Sequence, residues 1–178
     1  MTVRDHGTIE AMVSRNIEIA FAGRRDARAL SLMSRDLIEA GLGWGYRPDR
    51  VARMIDDPDT VALVARDAIM PIAFAVMKFG EERAHLALLA VAERHQRCGV
   101  GRRLITWLTE SAMVAGIVSV HVELRAENHR AFAFYRSLGF AETLRVPGYY
   151  QGRETAIRMI RMLRAPAART LPWRLPPP

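Results

Sequence analysis

The 178-residue chain has one cysteine, Cys98, and one lysine, Lys78. A single cysteine excludes an intrachain disulfide and any four-cysteine zinc site. The five histidines lack the ligand spacing of a metal centre, so no metal is expected. No apolar run approaches the roughly 20 residues that span a bilayer. The opening "MTVRDHGTIE" carries acids where a signal peptide would carry its apolar core. These absences predict a cytoplasmic protein with no membrane partner. The formal charge of +7 therefore rests almost wholly on arginine. The arginines are scattered and often stand beside acids, as in "SRDLIEAG" and "RPDRVARMIDD". A polyanion binder needs a clustered basic face, so nucleic acid is not expected as a partner.

What is present suffices for one core. Half of the residues are hydrophobic, and the length suits one well-buried domain rather than two. Ile17, Ile19 and Phe21 alternate with small or polar residues and predict a strand. Leu30, Met33, Leu37 and Ile38 stand at helical spacing and predict a helix over 24–40, stopped by Gly41. "GLGWGYRP" then reads as a glycine-rich loop, and a short helix over 48–56 begins at Pro48. "TVALVAR" and "IMPIAFAVMKF" predict two strands joined by a tight turn near Asp67. The run "HLALLAVA" at 85–92 shows little alternation, which predicts a strand buried on both faces.

Leu104, Leu108 and Ala112 share one face of a helix that Gly116 ends. "VSVHVELR" alternates, with Val118, Val120, Val122 and Leu124 on one face and Ser119, His121, Glu123 and Arg125 on the other. Asn128 is placed to cap a further helix, and Gly139 to terminate it. Two more strands are expected around 140–146 and 156–163. The order predicts a single α/β domain over 16–164, with helices packed on one mixed sheet. Residues 1–15 are expected as a loosely held N-terminal arm. The proline-rich tail over 165–178 is expected to be extended or disordered.

Between the apolar strand and the helix lies "RHQRCGVGRRL" at 94–104. A helix N-terminus presents free backbone N–H groups and the positive end of the dipole, which together attract phosphate. Glycine lets a backbone approach closely and adopt left-handed conformations. The segment lacks the third glycine of a dinucleotide fingerprint and the G-K-[ST] ending of a nucleoside-triphosphate loop. On these residues alone, an anion cradle and a plain turn stay equally open.

"QRCGVG" fits the [QR]-x-x-G-x-[GA] signature of the GCN5-related N-acetyltransferases, and "VELRAENHRAFAFYRSLGF" resembles the "hEVRxxNxxAxxhYxxxGF" segment of that family. The two motifs stand in the family's order, separated by a helix and a strand. The resemblance is most specific over 85–163. Within the family, "GYYQGRETAIRM" is similar to the late "NYY…GREDA" segment of the bacterial group that acetylates the N-terminal alanine of a ribosomal protein. Here the spacing between the tyrosines and the glycine is shorter, and Gly148 replaces the asparagine.

The resemblance implies a mixed sheet splayed between its two central strands, and acetyl-coenzyme A as acetyl donor. Its pyrophosphate would lie on the backbone of Arg97, Cys98, Gly99, Val100, Gly101 and Arg102. Its pantetheine arm would run like an added strand along Leu89, Ala90 and Val91, with Asn128 in contact. Glu123 would serve as general base and Tyr135 as the acid that protonates the leaving thiolate. Each has a plainer reading. Glu123 could pair with Arg125 on its own strand face, Tyr135 could pack beside Phe134 and Leu138, and Asn128 could be only a cap. His121 either relays a proton or bonds within the sheet, and His95 in the turn is expected to face solvent. Trp44 and Tyr46, with Tyr149 and Tyr150, either wall the acceptor site or anchor loops. The expected acceptor is a primary amine, with the N-terminal α-amine of a peptide or protein preferred. The alternatives are a small-molecule amine acetylase and a coenzyme A-binding module without turnover. Monomer and homodimer both stay open.

Overall fold

In the computed structural model, which describes residues 17–164, the chain begins with β1 (Ile17–Phe21), α1 (Ala27–Leu37) and α2 (Pro48–Asp56). A hairpin follows, β2 (Thr60–Asp67) and β3 (Met70–Phe79), and then β4 (Arg83–Val91). The second half runs α3 (Val100–Val114), β5 (Ser119–Arg125), α4 (His129–Ser137), β6 (Ala141–Tyr150) and β7 (Glu154–Met162). The arm at 1–15 and the tail at 165–178 lie outside the described residues. Among the described residues no helix is long and apolar enough to cross a membrane. The strands form one sheet in the order β1-β2-β3-β4-β5-β7-β6. Its single parallel pair is β4 with β5, and α3 makes the crossover that such a pair requires.

Two cores sandwich the sheet. On one face Leu104, Ile105 and Leu108 of α3 pack on Val120, Val122 and Leu124 of β5. On the other, Leu30 of α1 and Val51 of α2 pack on Phe74, Val76, Leu88 and Ala90. Leu30 and Val51 are fully buried, and burying each such side chain stabilises the fold by about 1.5–3 kcal/mol. α1 starts after a 3-10 turn and ends at Leu37, four residues before Gly41. Gly41, at φ +79°, shapes the following turn and does not stop the helix.

The apolar run of β4 meets a core on each face but falls short of the expected full burial on both. Its exposure alternates, with Ala84, Leu86, Leu88 and Ala90 buried and the residues between them less so. A β-bulge explains the pattern. Met77 pairs with Leu86 and Val76 with Leu88, which leaves Ala87 without a partner. The extra residue switches the inward face. Ala84 and Leu86 belong to the α3 core, whereas Leu88 and Ala90 belong to the α1–α2 core. Past the bulge, Leu89 and Val91 pack partly buried on the α3 core while Leu88 and Ala90 pack on the α1–α2 core, so both parities are apolar there and the sequence shows no alternation.

The bulge coincides with a fork. β4 and β5 pair only at Arg83 with Ser119, Ala84 with Val120, and His85 with His121. Beyond this point β4 stays with β3, and β5 stays with β7 as far as Arg125. A wedge thus opens in the middle of the sheet, as the splayed architecture requires.

Candidate active site

One side of the wedge is an edge of free backbone groups. Ala92 N–H donates to Ile72 O at 2.7 Å. Alternation along the strand therefore turns the N–H and C=O of Ala90 toward β3, and those of Leu89 and Val91 into the wedge. Of the three residues expected to meet a pantetheine arm, Leu89 and Val91 present backbone groups to the wedge and Ala90 does not. Gln96 Nε2 donates to Val91 O at 3.0 Å. Val91 N–H remains facing the opening.

The mouth of the wedge is the glycine turn. Gly99 is the N-cap of α3 at φ +80°, in the left-handed region, and it offers no side-chain cap. The first-turn N–H groups of Val100, Gly101 and Arg102 have no intrahelical partners. No acid stands in that turn, so the helix dipole there is unopposed. Arg97 also adopts a positive φ, +65°, an uncommon state for a residue with a Cβ. Space around a Cβ at Gly99 is open, whereas a Cβ at Gly101 would lie 3.4 Å from Phe134 Cζ and from Val91 Cγ2. Gly99 serves the turn's conformation, and Gly101 serves the close approach of α3 to the wedge. Arg102 is tied to Ser137 Oγ at 3.0 Å, Arg103 reaches Ile17 O at 3.3 Å, and Cys98 is exposed. His95 does not face solvent. It is buried at 7% exposure with Nδ1 lacking a partner, because its 3-10 turn carries the ring toward Asp67, 3.6 Å from Nε2.

Glu123 projects from β5 just past the fork. It does not pair with Arg125. Arg158 Nε donates to its Oε1 at 2.8 Å, and His85 Nε2 lies 2.5 Å from its Oε2. The hydrogen bond from His85, joined by that from Arg158, outweighs burial and holds the carboxyl below the usual glutamate range. Arg125 instead reaches Glu154 and the carbonyls of Ile38 and Ala40. His121 bonds Ser119 Oγ at 3.0 Å, within the sheet, and burial lowers its pKa. Glu123, His85, Arg158 and His121 line a cleft of about 640 Å³ together with Lys78 and Arg83. His85 and Arg158 escaped the sequence reading because both face Glu123 only through strand register, Arg158 directly opposite it and His85 opposite His121, two residues before it.

Tyr135 lies on α4 at 6% exposure, in the α3-side core, edge-on to Phe134 and Phe140 at 5.3 and 5.4 Å. Burial, with a smaller push from Tyr150, raises its pKa far above the ordinary phenol value. The hydroxyl is thus a neutral donor at any working pH. Asn128 caps α4, its Oδ1 accepting from Ala131 N at 3.0 Å.

The two tyrosine-bearing segments meet. A Cβ at Gly43 would fall 2.9 Å from Gln151 Nε2. Tyr46, Tyr149, Tyr150 and Glu123 lie within electrostatic reach of one another. Burial, then Tyr149 and Glu123, pushes the Tyr150 phenol up to about 12. Tyr149 and Tyr150 stand edge-to-face at 5.0 Å at the end of β6, which extends further than expected. Its register shifts between Val146 and Tyr150, where Pro147 has no N–H to give and Gly148 takes φ +67°. Trp44 is set between Arg35 and Arg47, at 5.4 and 5.7 Å from the ring centroid. The loop's organiser is Glu39, buried at 7% exposure. It accepts from Gly45 N at 2.6 Å, Tyr46 N at 3.2 Å and Ser34 Oγ at 3.0 Å. No sequence signal marked Glu39, since an acid at the end of a helix reads as solvated.

Comparison with known proteins agrees with this arrangement. The chain is 40% identical over 90 residues to the [ribosomal protein bS18]-alanine N-acetyltransferase of Salmonella typhimurium. The match takes in 49% of this chain and 61% of that relative. The crystal structure of the Escherichia coli enzyme of the same name superposes with a TM-score of 0.74 at 25% identity, covering 86% of this chain and 97% of that one. Arabidopsis thaliana NAA60 in complex with acetyl-CoA shares the fold, with a TM-score of 0.73 at 17% identity over 82% of this chain and 98% of that one. The sequence profile of the acetyltransferase (GNAT) family matches residues 30–140, and the chain, with its forked sheet and glycine turn, belongs to that family.

Proposed function

We propose that the protein transfers the acetyl group of acetyl-coenzyme A to a primary amine, preferring the N-terminal α-amine of a peptide or protein. The observation that carries this reading is the wedge between β4 and β5. It has the N-terminus of α3 at its mouth and Glu123 just beyond its apex. A thioester donor with a pyrophosphate needs such a combination, an anion cradle joined to a strand-like edge. Bound there, the donor supplies an activated acyl group. The first-turn N–H groups of α3, with Arg97 and Arg102, hold its phosphates. The N–H of Leu89 and Val91 faces its arm, and Val91 N–H is placed to donate to the acyl oxygen.

The remaining work is proton transfer. The acceptor arrives as an ammonium ion and must lose a proton before it can attack. Glu123 and the groups bonded to it serve that step, and Tyr135, held neutral by burial, gives a proton to the leaving sulfur. An α-amine has an unperturbed pKa near 7.7–8.0, against about 10.4 for lysine. Deprotonating it costs about 3.5 kcal/mol less at 1.36 kcal/mol per pKa unit, which favours N-termini over lysine side chains. The tyrosines 46, 149 and 150 then flank the first residue of the peptide.

The test offers peptides with small first residues, polyamines and aminoglycosides together with acetyl-coenzyme A, and reads the products by mass. Acetylated peptide α-amines are expected. Tyr149→Ala or Tyr150→Ala is expected to raise the peptide's KM more than that of the donor. Modification of a small amine with the peptides untouched would replace the peptide reading. Binding of acetyl-coenzyme A by calorimetry with no thiol release would reduce the protein to a binding module.

A further inference from the structure

The acetyl-transfer reading leaves open which atom takes the amine's proton, and the cleft beside Glu123 supplies the answer. Both carboxylate oxygens of Glu123 are engaged, Oε1 by Arg158 Nε at 2.8 Å and Oε2 by His85 Nε2 at 2.5 Å. Its side chain is only 12% exposed, while that of His85 is 49% exposed. A carboxylate held in its charged form by a donor on each oxygen has less tendency to bind a proton. An imidazole bonded through one nitrogen keeps the other free. The geometry points to His85 as the general base of the reaction, with Glu123 as the residue that positions it. The inference rests on the acetyl-transfer reading given above.

Three observations bear on it. First, the Nε2 contact with a carboxylate places the ring proton on Nε2 and leaves the lone pair on Nδ1, as a second partner fixes the tautomer of any histidine. Second, His85 is the last residue of β4 to pair with β5, opposite His121. It therefore stands at the apex of the wedge, where donor and acceptor must meet. Third, the ring lines the open cleft of about 640 Å³ and has a route to solvent. The charged and titratable groups facing it there are Glu123 and His121 from β5, Arg158 from β7, Arg83 from its own strand and Lys78 from β3. Among these Glu123 is the one anion, and it is the one bonded to His85. His121 is not an equivalent base. Its Nε2 meets the neutral Ser119 hydroxyl and no carboxylate that would stabilise an imidazolium, and burial disfavours its charged form.

The step balances as follows. An ammonium proton passes to His85 Nδ1, directly or through one water, and makes an imidazolium against the Glu123 carboxylate. The freed nitrogen lone pair forms the N–C bond at the acetyl carbonyl, and the C–S bond breaks with its electrons on sulfur. The nitrogen gives up its second proton, the sulfur gains one, and His85 releases one to solvent. The sum is ammonium plus thioester giving amide, thiol and one proton.

Two measurements test this. The first needs no ligand. Long-range 15N–1H correlation on the labelled protein is expected to show His85 as the Nε2–H tautomer, and as a tautomer mixture in Glu123→Gln. An Nδ1–H tautomer in the unmodified protein would overturn the proposal, whatever the protein acetylates. The second is the pH dependence of kcat with saturating peptide and donor. His85→Gln is expected to lower kcat at least 100-fold and abolish the acidic limb, with donor affinity unchanged. His121→Gln is expected to keep that limb. Added imidazole is expected to restore at least tenfold of the rate lost in His85→Ala, since the ring stands at an open cleft. Loss of the limb in Glu123→Gln with its retention in His85→Gln would make Glu123 the base and refute the assignment. If the unmodified protein binds acetyl-coenzyme A and acetylates nothing, the acetyl-transfer reading fails instead, while the tautomer result stands by itself.

Discussion

Removing the Glu39 carboxylate should unlatch the loop that carries Tyr46. Glu39 accepts from Gly45 N at 2.6 Å, Tyr46 N at 3.2 Å and Ser34 Oγ at 3.0 Å, and Ser31 Oγ fastens the same loop at Tyr46 O at 2.6 Å. Hydrogen bonds to charged groups contribute about 1.5–3 kcal/mol each, and a buried donor left without a partner costs about 1–3 kcal/mol. Gly45 is exposed, so its N–H recovers water when the carboxylate goes. Tyr46 N and Ser34 Oγ are more enclosed. Two losses of about 1.5 kcal/mol place Glu39→Ala near 3 kcal/mol. At about 2–4 °C per kcal/mol for a domain of this size, the Tm falls by about 6–12 °C. Glu39→Gln keeps an acceptor for the two N–H groups and should cost about 1 kcal/mol. The kinetic signature separates a latch from a general core residue. With Tyr46 on the acceptor side and the α3 cradle on the donor side, as proposed, the peptide's KM should rise about tenfold while donor affinity holds. Thermal denaturation and steady-state kinetics on both substrates read the outcome. A Tm within about 1 °C of the parent and an unchanged peptide KM would refute the latch.

Other expectations follow from the same geometry. Gly99→Val forces a β-branched residue to φ +80°, at about 1–2 kcal/mol or more, and should weaken coenzyme A binding at least about tenfold by calorimetry. Gly99→Asn, which tolerates the left-handed region, should lose less, and equal affinity in all three proteins would make the cradle a plain turn. Tyr135→Phe should lower kcat by about 10²–10⁴-fold with donor affinity unchanged, and robust turnover in a stopped thiol-release assay would leave the phenol a packing role. Asp26 is raised by burial but brought below the ordinary aspartate range by the hydrogen bond from Arg66 at 2.6 Å and that from Gly23 N. A carboxyl whose folded pKa is depressed stabilises above its unfolded value near 3.9 and loses that contribution as pH falls through the folded value. The Tm gap between the parent and Asp26→Asn should therefore be full at pH 6 and shrink below about pH 4, and a gap constant down to pH 2.5 would exclude the linkage.

Local signals were legible in the sequence where one residue type serves one local purpose. Asn128 caps α4 because a short side-chain oxygen reaches the third N–H of the helix, and Gly99 and Gly139 hold the positive φ that their positions demand. The alternation of β5 set Val120, Val122 and Leu124 on the core and Glu123 on the opposite face, as found. What failed to show depends on pairing between distant segments. Arg158 and His85 meet Glu123 by register, 35 and 38 residues away, and no local pattern encodes register. His95 was misjudged because exposure in a turn depends on what packs over it. Glu39 looked solvated because its partners are the backbone N–H groups of a loop folded back on it.

The apolar run of β4 joins these two kinds of information. The buried residues Ala84, Leu86, Leu88 and Ala90 keep one parity across the bulge, and Leu89 and Val91 of the other parity are apolar because they pack on the α3 core. The single unpaired residue Ala87 moves the inward side from the α3 core to the α1–α2 core. The same residue lies two positions past His85, where pairing with β5 ends. A bulge adds local twist and bends its strand, and a twist applied to one of two parallel neighbours drives their free ends apart. The fork and the free N–H groups of Leu89 and Val91 thus go with one inserted residue. The glycine turn at the mouth follows from where β4 must then end. The wedge that would admit the donor is therefore marked in the sequence by a run, residues 85–92, that opens on His85 and then stays apolar because its two faces meet two cores.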